Sequence, residues 1–299
     1  SSAFSDPQGV RTFGSMEWRL GEIRNPTTPN YVAGDRYIYE IESSHQSARL
    51  TPFESRFTFP TAEVRPGRTY RARVRHIDSS GRASHWSAPV EFTAAAPDLS
   101  PWTSNLVVSE LNYNPLPASA SEIASGFVTS DFEFVELSNI STTRTLDLTD
   151  IRFTKGIDFD FAGGSVTSLA PGAFVLVVRN IAAFESRYGA GLPVAGQFEP
   201  DNLSNGGENV KLSFGAGAAI REFQYLDAAP WPPAADGSGR SLVLIEPGSA
   251  PDHSDPANWR ASVRVGGSPG AAEPGATLVS WKVDNFTPAE LADPGFTGN

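Results

Sequence analysis

Residues 198–214, FEPDNLSNGGENVKLSF, place a polar turn rich in Gly and Asn between two apolar flanks. Such oxygen-bearing side chains are typical of a calcium loop, and such glycines are typical of a loop that cradles an anion. A phosphate loop, however, needs G-x-x-x-x-G-K-[ST] before a helix, and here Glu208 and a strand pattern follow the glycines. Asn205-Gly206-Gly207 supplies the positive φ angles of a tight reversal. We therefore interpret these residues as the corner between two strands.

The composition of the 299 residues favours a folded protein built from strands. Hydrophobic residues make up 39% and charged residues 19%, while Gly (27) and Pro (24) are plentiful. Period-2 patterns recur between Gly/Pro/Asn/Ser-rich turns, which is typical of antiparallel strands. One short helix is predicted at 180–189, where Ile181, Phe184 and Tyr188 share a face and Gly189 ends the pattern. The predicted fold class is all-β, with two immunoglobulin-like β-sandwich domains in tandem.

Residues 1–97 contain several strand patterns in succession. MEWRLGEI (16–23), YIYEIE (37–42) and YRARVRHI (70–77) each alternate between two faces. The run PGRTYRARVRHIDSSGRASHWSAPVEF (66–92) resembles the end of a fibronectin type III domain. This resemblance implies a β-sandwich over residues 1–97, followed by a Pro-containing junction at 98–105.

Three arginines alternate along one of these strands and could form a polyanion-binding stripe. They are Arg71, Arg73 and Arg75. Acidic residues such as Glu17 and Glu40 lie on neighbouring strand patterns and can pair with them. We therefore expect a solvated face with ion pairs.

Six sequence blocks follow one another within residues 106–270. They are LVVSELNYNP (106–115), FEFVELSN (132–139), LAPGAFVLVV (169–178), LSNGGENVKL (203–212), PWPPAADGSGRSL (230–242) and DPANWRASVRVGGSPG (255–270). This order resembles bacterial lamin tail domains, whose fold is immunoglobulin-like and whose pattern contains no catalytic residues. Residues 271–299 are similar to the start of a further region in large exported proteins of planctomycete or verrucomicrobial type, and we expect a linker there.

The resemblance implies a non-catalytic structural or interaction module of a large secreted or cell-surface bacterial protein, with the signal peptide outside this sequence. Expected partners are other domains of the parent protein or an extracellular protein or glycan, and we expect a monomer. Residues 101–270 carry a net charge of −9, which opposes nucleic-acid binding. The longest apolar runs, such as FVLVV (174–178), are too short for a membrane span.

Candidate catalytic groups are few. Cysteine is absent, histidine occurs four times, and no G-x-S-x-G or zinc-binding spacing is present. His253 lies in a loop between two aspartates. Asp158 and Asp160 share one side of a strand pattern, and we expect them on a wet face. Glu110 and Glu136 each sit mid-strand among apolar residues, and we expect partly buried acceptors of hydrogen bonds from loop backbone. Either carboxylate pair could instead serve acid–base chemistry if a cleft held its members close together. We predict that this chain is not an enzyme.

Two ligand-binding alternatives stay open at this stage. A glycan-binding accessory module of an extracellular hydrolase would stack sugars on exposed rings, and the candidates are Trp231, Tyr225 and Trp259. Packing at one end of the sandwich explains these rings equally well. No cofactor is predicted, but a weak surface calcium site is the second alternative, and the loops 201–208 and 236–240 are its best candidates.

Overall fold

The computed structural model describes residues 1–5, 12–198 and 202–275, together with Phe286 and Asp293. Contacts divide the chain into two compact units, which we call the first unit (Ser1–Asp98 with Gly215–Ala218) and the second unit (Leu99–Phe214 with Ala219–Asn299). Sixteen strands and only three short helices occur in the described residues, which confirms the all-β class. The tandem immunoglobulin-like arrangement stays a prediction. Most of the predicted linker at 271–299 lies outside the described residues.

The first unit contains one antiparallel sheet with the strand order β2-β1-β3-β4. Its strands are β1 (Phe13–Ile23), β2 (His45–Gln46), β3 (Thr69–Asp78) and β4 (Val90–Thr93). The alternation in MEWRLGEI is present in β1, where Met16 and Leu20 are fully buried. A small apolar cluster forms around Leu20, Tyr70 and Ala94. No second sheet occurs among the described residues of this unit.

The predicted strand YIYEIE is wrong. Only Ile38 makes a bridge, to Arg24, and the segment otherwise runs as loop. The side chains of Tyr37, Tyr39 and Ile41, which the alternation places on one face, are all exposed. Alternation alone does not make a strand where no partner strand supplies the hydrogen bonds.

The second unit contains three sheets. A six-stranded sheet has the order β12-β11-β6-β5-β15-β16, a four-stranded sheet has the order β14-β13-β8-β9, and β10 pairs with β7. The strands are β5 (Leu106–Asn112), β6 (Phe134–Asn139), β7 (Leu146–Asp147), β8 (Ile151–Lys155), β9 (Phe159–Asp160), β10 (Ser168–Leu169), β11 (Phe174–Val178), β12 (Val194–Gln197), β13 (Glu208–Phe214), β14 (Ala218–Tyr225), β15 (Leu242–Leu244) and β16 (Trp259–Ala261). The helices are α1 (Ser100–Thr103), α2 (Ala120–Ala124) and α3 (Ile181–Tyr188).

The six-stranded sheet buries both of its faces. On one face, Val135 and Leu137 of β6 join a large apolar core to which the four-stranded sheet also contributes, for example through Leu212. On the other face, Phe134 packs against Phe184 of α3. The predicted helix is thus confirmed, and it covers part of this outer face. Elsewhere on the same face, β5 and β6 carry polar side chains.

The turn predicted within 198–214 joins the two large sheets. It lies between β12 of the six-stranded sheet and β13 of the four-stranded sheet, and residues 199–201 fall outside the described chain. Gly207 has φ +92°, and a Cβ there would lie 2.3 Å from the carbonyl oxygen of Tyr225. Only glycine satisfies both the backbone angle and this close approach. The corner interpretation is confirmed.

Candidate functional site

Two buried glutamates lie side by side on the outer face of the six-stranded sheet. Glu110 of β5 and Glu136 of β6 are direct cross-strand partners, next to a bulge between Val108 and Glu110. Their exposed fractions are 2% and 1%. Because Val135 belongs to the core on the opposite face, the alternation of β6 turns Glu136 away from that core. The pair therefore lies on the outer face, near the end of α3, where the Glu110 charge acts on Tyr188.

The backbone of residues 266–273, GGSPGAAE, covers this pair, and we call this segment the strap. The N–H of Ser268 donates to Glu110 Oε1 at 3.1 Å, and its hydroxyl donates to Oε2 at 3.2 Å. The N–H of Gly270 donates to Glu136 Oε2 at 2.6 Å. Hydrogen bonds from loop backbone to both glutamates were expected from the sequence, and they are confirmed.

Serine hydroxyls complete the hydrogen bonding of the pair, and glycine makes it sterically possible. Ser109 donates to Glu136 Oε1 at 2.7 Å, and Ser241 donates to Glu110 Oε1. A Cβ on Gly267, where φ is +77°, would lie 1.8 Å from Glu110 Oε1. All four carboxyl oxygens thus accept a hydrogen bond from the protein itself. Residue 267 of the strap must therefore be glycine.

Burial dominates the electrostatics of the pair. Desolvation raises the pKa of Glu110, and desolvation together with the neighbouring Glu110 charge raises the pKa of Glu136. Within the described residues, neither glutamate forms an ion pair. The nearest ion pair on the strap joins Glu273 Oε1 to Arg260 at 3.2 Å, and the N–H of Val263 donates to the same oxygen at 2.6 Å. This second anchor fixes the far end of the strap.

A cavity of about 350 Å³ lies beside the strap. Its lining includes Ser109, both glutamates, Phe174, Leu244, Arg260 and Glu273. A carboxyl pair in a cleft can serve acid–base chemistry when its oxygens meet substrate. Here the strap and two serines already donate at least one hydrogen bond to every oxygen of the pair. The arrangement attaches a loop to a sheet face.

His253 is a buried structural residue. Its Nε2 accepts the N–H of Val108 at 3.1 Å, and its Nδ1 lies 3.0 Å from the carbonyl oxygen of Pro251, so the proton sits on Nδ1. Desolvation lowers the pKa of His253 to about 4. The neutral ring packs against Phe223 and Trp259. The ring accepts the hydrogen bond of the Val108 N–H at the β5 bulge, and its nitrogens are not available to a substrate.

The three rings named for sugar stacking are core residues. Tyr225, Trp231 and Trp259 have exposed fractions of 0%, 4% and 3%. The Trp259 indole N–H donates to the carbonyl oxygen of His253, and the Tyr225 hydroxyl donates to that of Ser204. Buried rings offer no face to a sugar, so packing accounts for all three.

The remaining candidates are solvated. Asp158 and Asp160 are exposed, and Asp160 caps a short 3₁₀ turn through the N–H of Ala162 at 2.9 Å. In the described part of the chain, no three His, Cys, Asp or Glu side chains lie close enough together to hold a metal ion. The loop 202–208 uses its own carboxylate internally, because Glu208 accepts the N–H of Ser204 at 2.7 Å.

Ion pairs occupy the arginine stripe of the first unit, as expected. Arg75 binds Glu17 at 2.7 Å, while Arg71 and Arg73 both pair with Glu40. Each arginine thus has a carboxylate partner within its own sheet or an adjoining loop. The stripe is a neutralised surface.

Sequence reasoning missed the covering segment itself. Ser268 and Gly270 lie in VGGSPG, which the sequence indicates only as the end of the last of the six blocks. The adjacent glycines of this block were the available signal, because glycine is often required where the backbone must closely approach another group.

Among the described residues, no helix combines the length and apolar character that a membrane crossing requires. No protein-family model, curated protein or solved structure matches this chain.

Proposed function

We propose that the chain is a non-catalytic structural and interaction module, built from two immunoglobulin-like domains, in a larger secreted or cell-surface bacterial protein. It spaces or docks the other domains of that protein. One observation carries the proposal: the side chains best suited to acid–base chemistry, Glu110, Glu136 and His253, each bond the backbone of their own unit. Groups committed in this way stabilise a scaffold.

The alternative of a glycan-binding accessory module cannot use the rings that suggested it, because Trp231, Tyr225 and Trp259 are buried. Glycan binding therefore needs a different site.

The test compares turnover and stability in Glu136→Gln, with Glu185→Gln on the exposed side of α3 as the matched control. We expect no hydrolysis of generic ester, glycoside or phosphate ester substrates that depends on Glu136. We also expect the thermal unfolding temperature to change in Glu136→Gln and to stay constant in the control. Hydrolysis by the unaltered chain that disappears in Glu136→Gln and persists in Glu185→Gln would overturn the proposal.

A further inference from the structure

A second cavity, of about 360 Å³, lies among three loops of the second unit. Its lining residues are Asn114, Pro115, Val128, Thr129, Ser130, Glu133 and Asn205. They come from the loop after β5, the turn before β6 and the corner before β13. The fold thus brings together hydrogen-bonding side chains that are up to about 90 residues apart in sequence. The volume of the cavity is within the range of small-molecule pockets.

The cavity has a graded depth. Glu133 forms its floor with an exposed fraction of 2%, and Pro115 is also buried. Asn114, Thr129 and Ser130 are half-buried walls, while Val128 and Asn205 are exposed at the rim. The cavity thus combines one buried carboxyl with polar side chains of intermediate or full exposure.

Several polar groups of the lining have no protein partner. Glu133 Oε2 accepts the N–H of Leu203 at 2.7 Å, but within the described chain Oε1 bonds no protein group. Within the described chain, the Ser130 hydroxyl and the Asn205 side-chain amide likewise have no hydrogen-bond partner among protein groups. Asn114 Nδ2 donates to Asp236 at 2.6 Å, which fixes the amide and leaves its oxygen unpaired. Among these groups Glu133 belongs to a buried side chain, while Asn114 and Ser130 are half-buried and Asn205 is exposed, so the cavity offers a ligand hydrogen-bonding groups at several depths.

The chemistry of the lining selects among polar ligands. No Arg or Lys is among the described lining residues, which argues against an anion. Burial raises the pKa of Glu133 to about 8, although the nearby Arg179 opposes this shift, so at neutral pH the carboxyl both donates and accepts. Amides and hydroxyls have the same dual capacity. Pro115 and Val128 add apolar surface beside them.

We propose that this cavity binds a saccharide, with Glu133, Asn114 and Asn205 meeting adjacent sugar hydroxyls and Pro115 and Val128 contacting a C–H face. The ligand class is a neutral, polyhydroxylated ring, held by hydrogen bonds at a recessed floor. This site is separate from the glutamate pair under the strap, and it needs no catalytic activity. It gives the module a partner chemistry that its buried tryptophans do not supply.

The test is a titration of the ¹⁵N-labelled chain with the methyl glycosides of glucose, galactose, mannose and N-acetylglucosamine at millimolar concentration, followed by NMR. We expect at least one glycoside to shift the amide signals of residues 114–115, 128–133 and 203–207 in a saturable manner. Asn205→Ala, which changes an exposed and unpaired side chain, should weaken binding at least about five-fold. Glu133→Gln should weaken it as well, and Glu185→Gln should leave it unchanged.

Two outcomes would overturn the proposal. One is that no glycoside of the panel gives saturable shifts at these residues, including shifts that appear instead at the exposed Tyr37 and Tyr39 of the first unit. The other is saturable shifts that Asn205→Ala and Glu133→Gln leave unchanged. A parallel titration with calcium chloride separates the classes, because calcium that shifts the same signals while the sugars do not would assign the cavity to a cation. Urea unfolding of each variant confirms that the second unit is folded.

Discussion

The two units share an antiparallel strand pattern but are stabilised differently. In the first unit, one four-stranded sheet covers a small cluster around Leu20 and Tyr70, and arginine–glutamate pairs occupy its wet face. In the second unit, two sheets contribute to one large core, and the buried carboxyls bond backbone. Similar alternation in the sequence therefore leads to different interiors. What differs is whether a second layer is present to bury the inner face.

The largest expected difference between the units comes from removing one tryptophan in each. Trp259→Ala deletes a ring that packs against Phe223 and Trp231 in the core of the second unit, and should cost about 3–5 kcal/mol. Trp86→Ala deletes a half-buried ring that lies under the Arg75 guanidinium, and should cost about 1 kcal/mol. Urea titrations followed by NMR signals assigned to each unit measure both losses. Equal losses would mean that the first unit has a core comparable to that of the second.

The pH dependence should run in opposite directions in the two units. The pKa of Glu136 rises from 4.5 to about 8 on folding, so its stabilising contribution is present at low pH and is lost as pH rises through that range. The Arg73 hydrogen bond lowers the pKa of Glu40, so the contribution of Glu40 is present above 4.5 and is lost as pH falls. His253, with its pKa lowered to about 4, destabilises the second unit only as pH falls below about 6.5.

Unit-resolved urea titrations between about pH 6.5 and pH 8.5 isolate the glutamates from His253. The second unit should lose stability over this interval and the first should stay nearly constant. Glu136→Gln should reduce the slope of the second unit, while part of the slope remains because the pKa values of Glu110 and Glu133 are also raised. Glu185→Gln should preserve the full slope. An unchanged slope in Glu136→Gln would show that Glu136 ionises without cost under the strap.

The smallest effect concerns the ion pairs of the first unit. Arg73→Met removes the guanidinium that pairs with Glu40 while retaining an apolar stem, and should cost about 1 kcal/mol at low salt. Molar salt should remove most of this difference because both side chains are partly exposed. Arg144→Met, at an exposed position of the second unit, should change stability little at either salt concentration. A cost for Arg73→Met that is independent of salt would assign the effect to packing.

The parts of the fold that depend on local pattern could be predicted from the sequence. The helix at 181–188 and the corner at Gly207 follow from periodicity and glycine chemistry, and both are present. YIYEIE shows the limit, because its alternation is as clear as that of β1 and only the presence of a partner strand separates the two. The same limit applies to the site. The sequence predicts Glu110 and Glu136 as partly buried acceptors of backbone hydrogen bonds, but they are fully buried, and nothing local indicates which loop donates to them.

Two other features depend on tertiary packing alone. Trp231 and Trp259 are rings of the kind that stack on sugars, and only the position of the second sheet decides that they face inward. The cavity around Glu133 is assembled from three loops, and its members carry no shared motif. Distance in the chain hides such sites from inspection of a single sequence.

The hydrogen bonds of the strap also set an order of events during synthesis. Ser268 lies 158 residues after Glu110, and Gly270 lies 134 residues after Glu136. At about 5–20 residues per second, β5 and β6 therefore wait roughly 7–30 s for their cover. During this interval both glutamates face water, have ordinary pKa values and are charged. Like charges beside the unpaired edge of β5 oppose its pairing with the same edge of a neighbouring nascent chain. The pair that must be neutralised in the finished sheet protects the unfinished one.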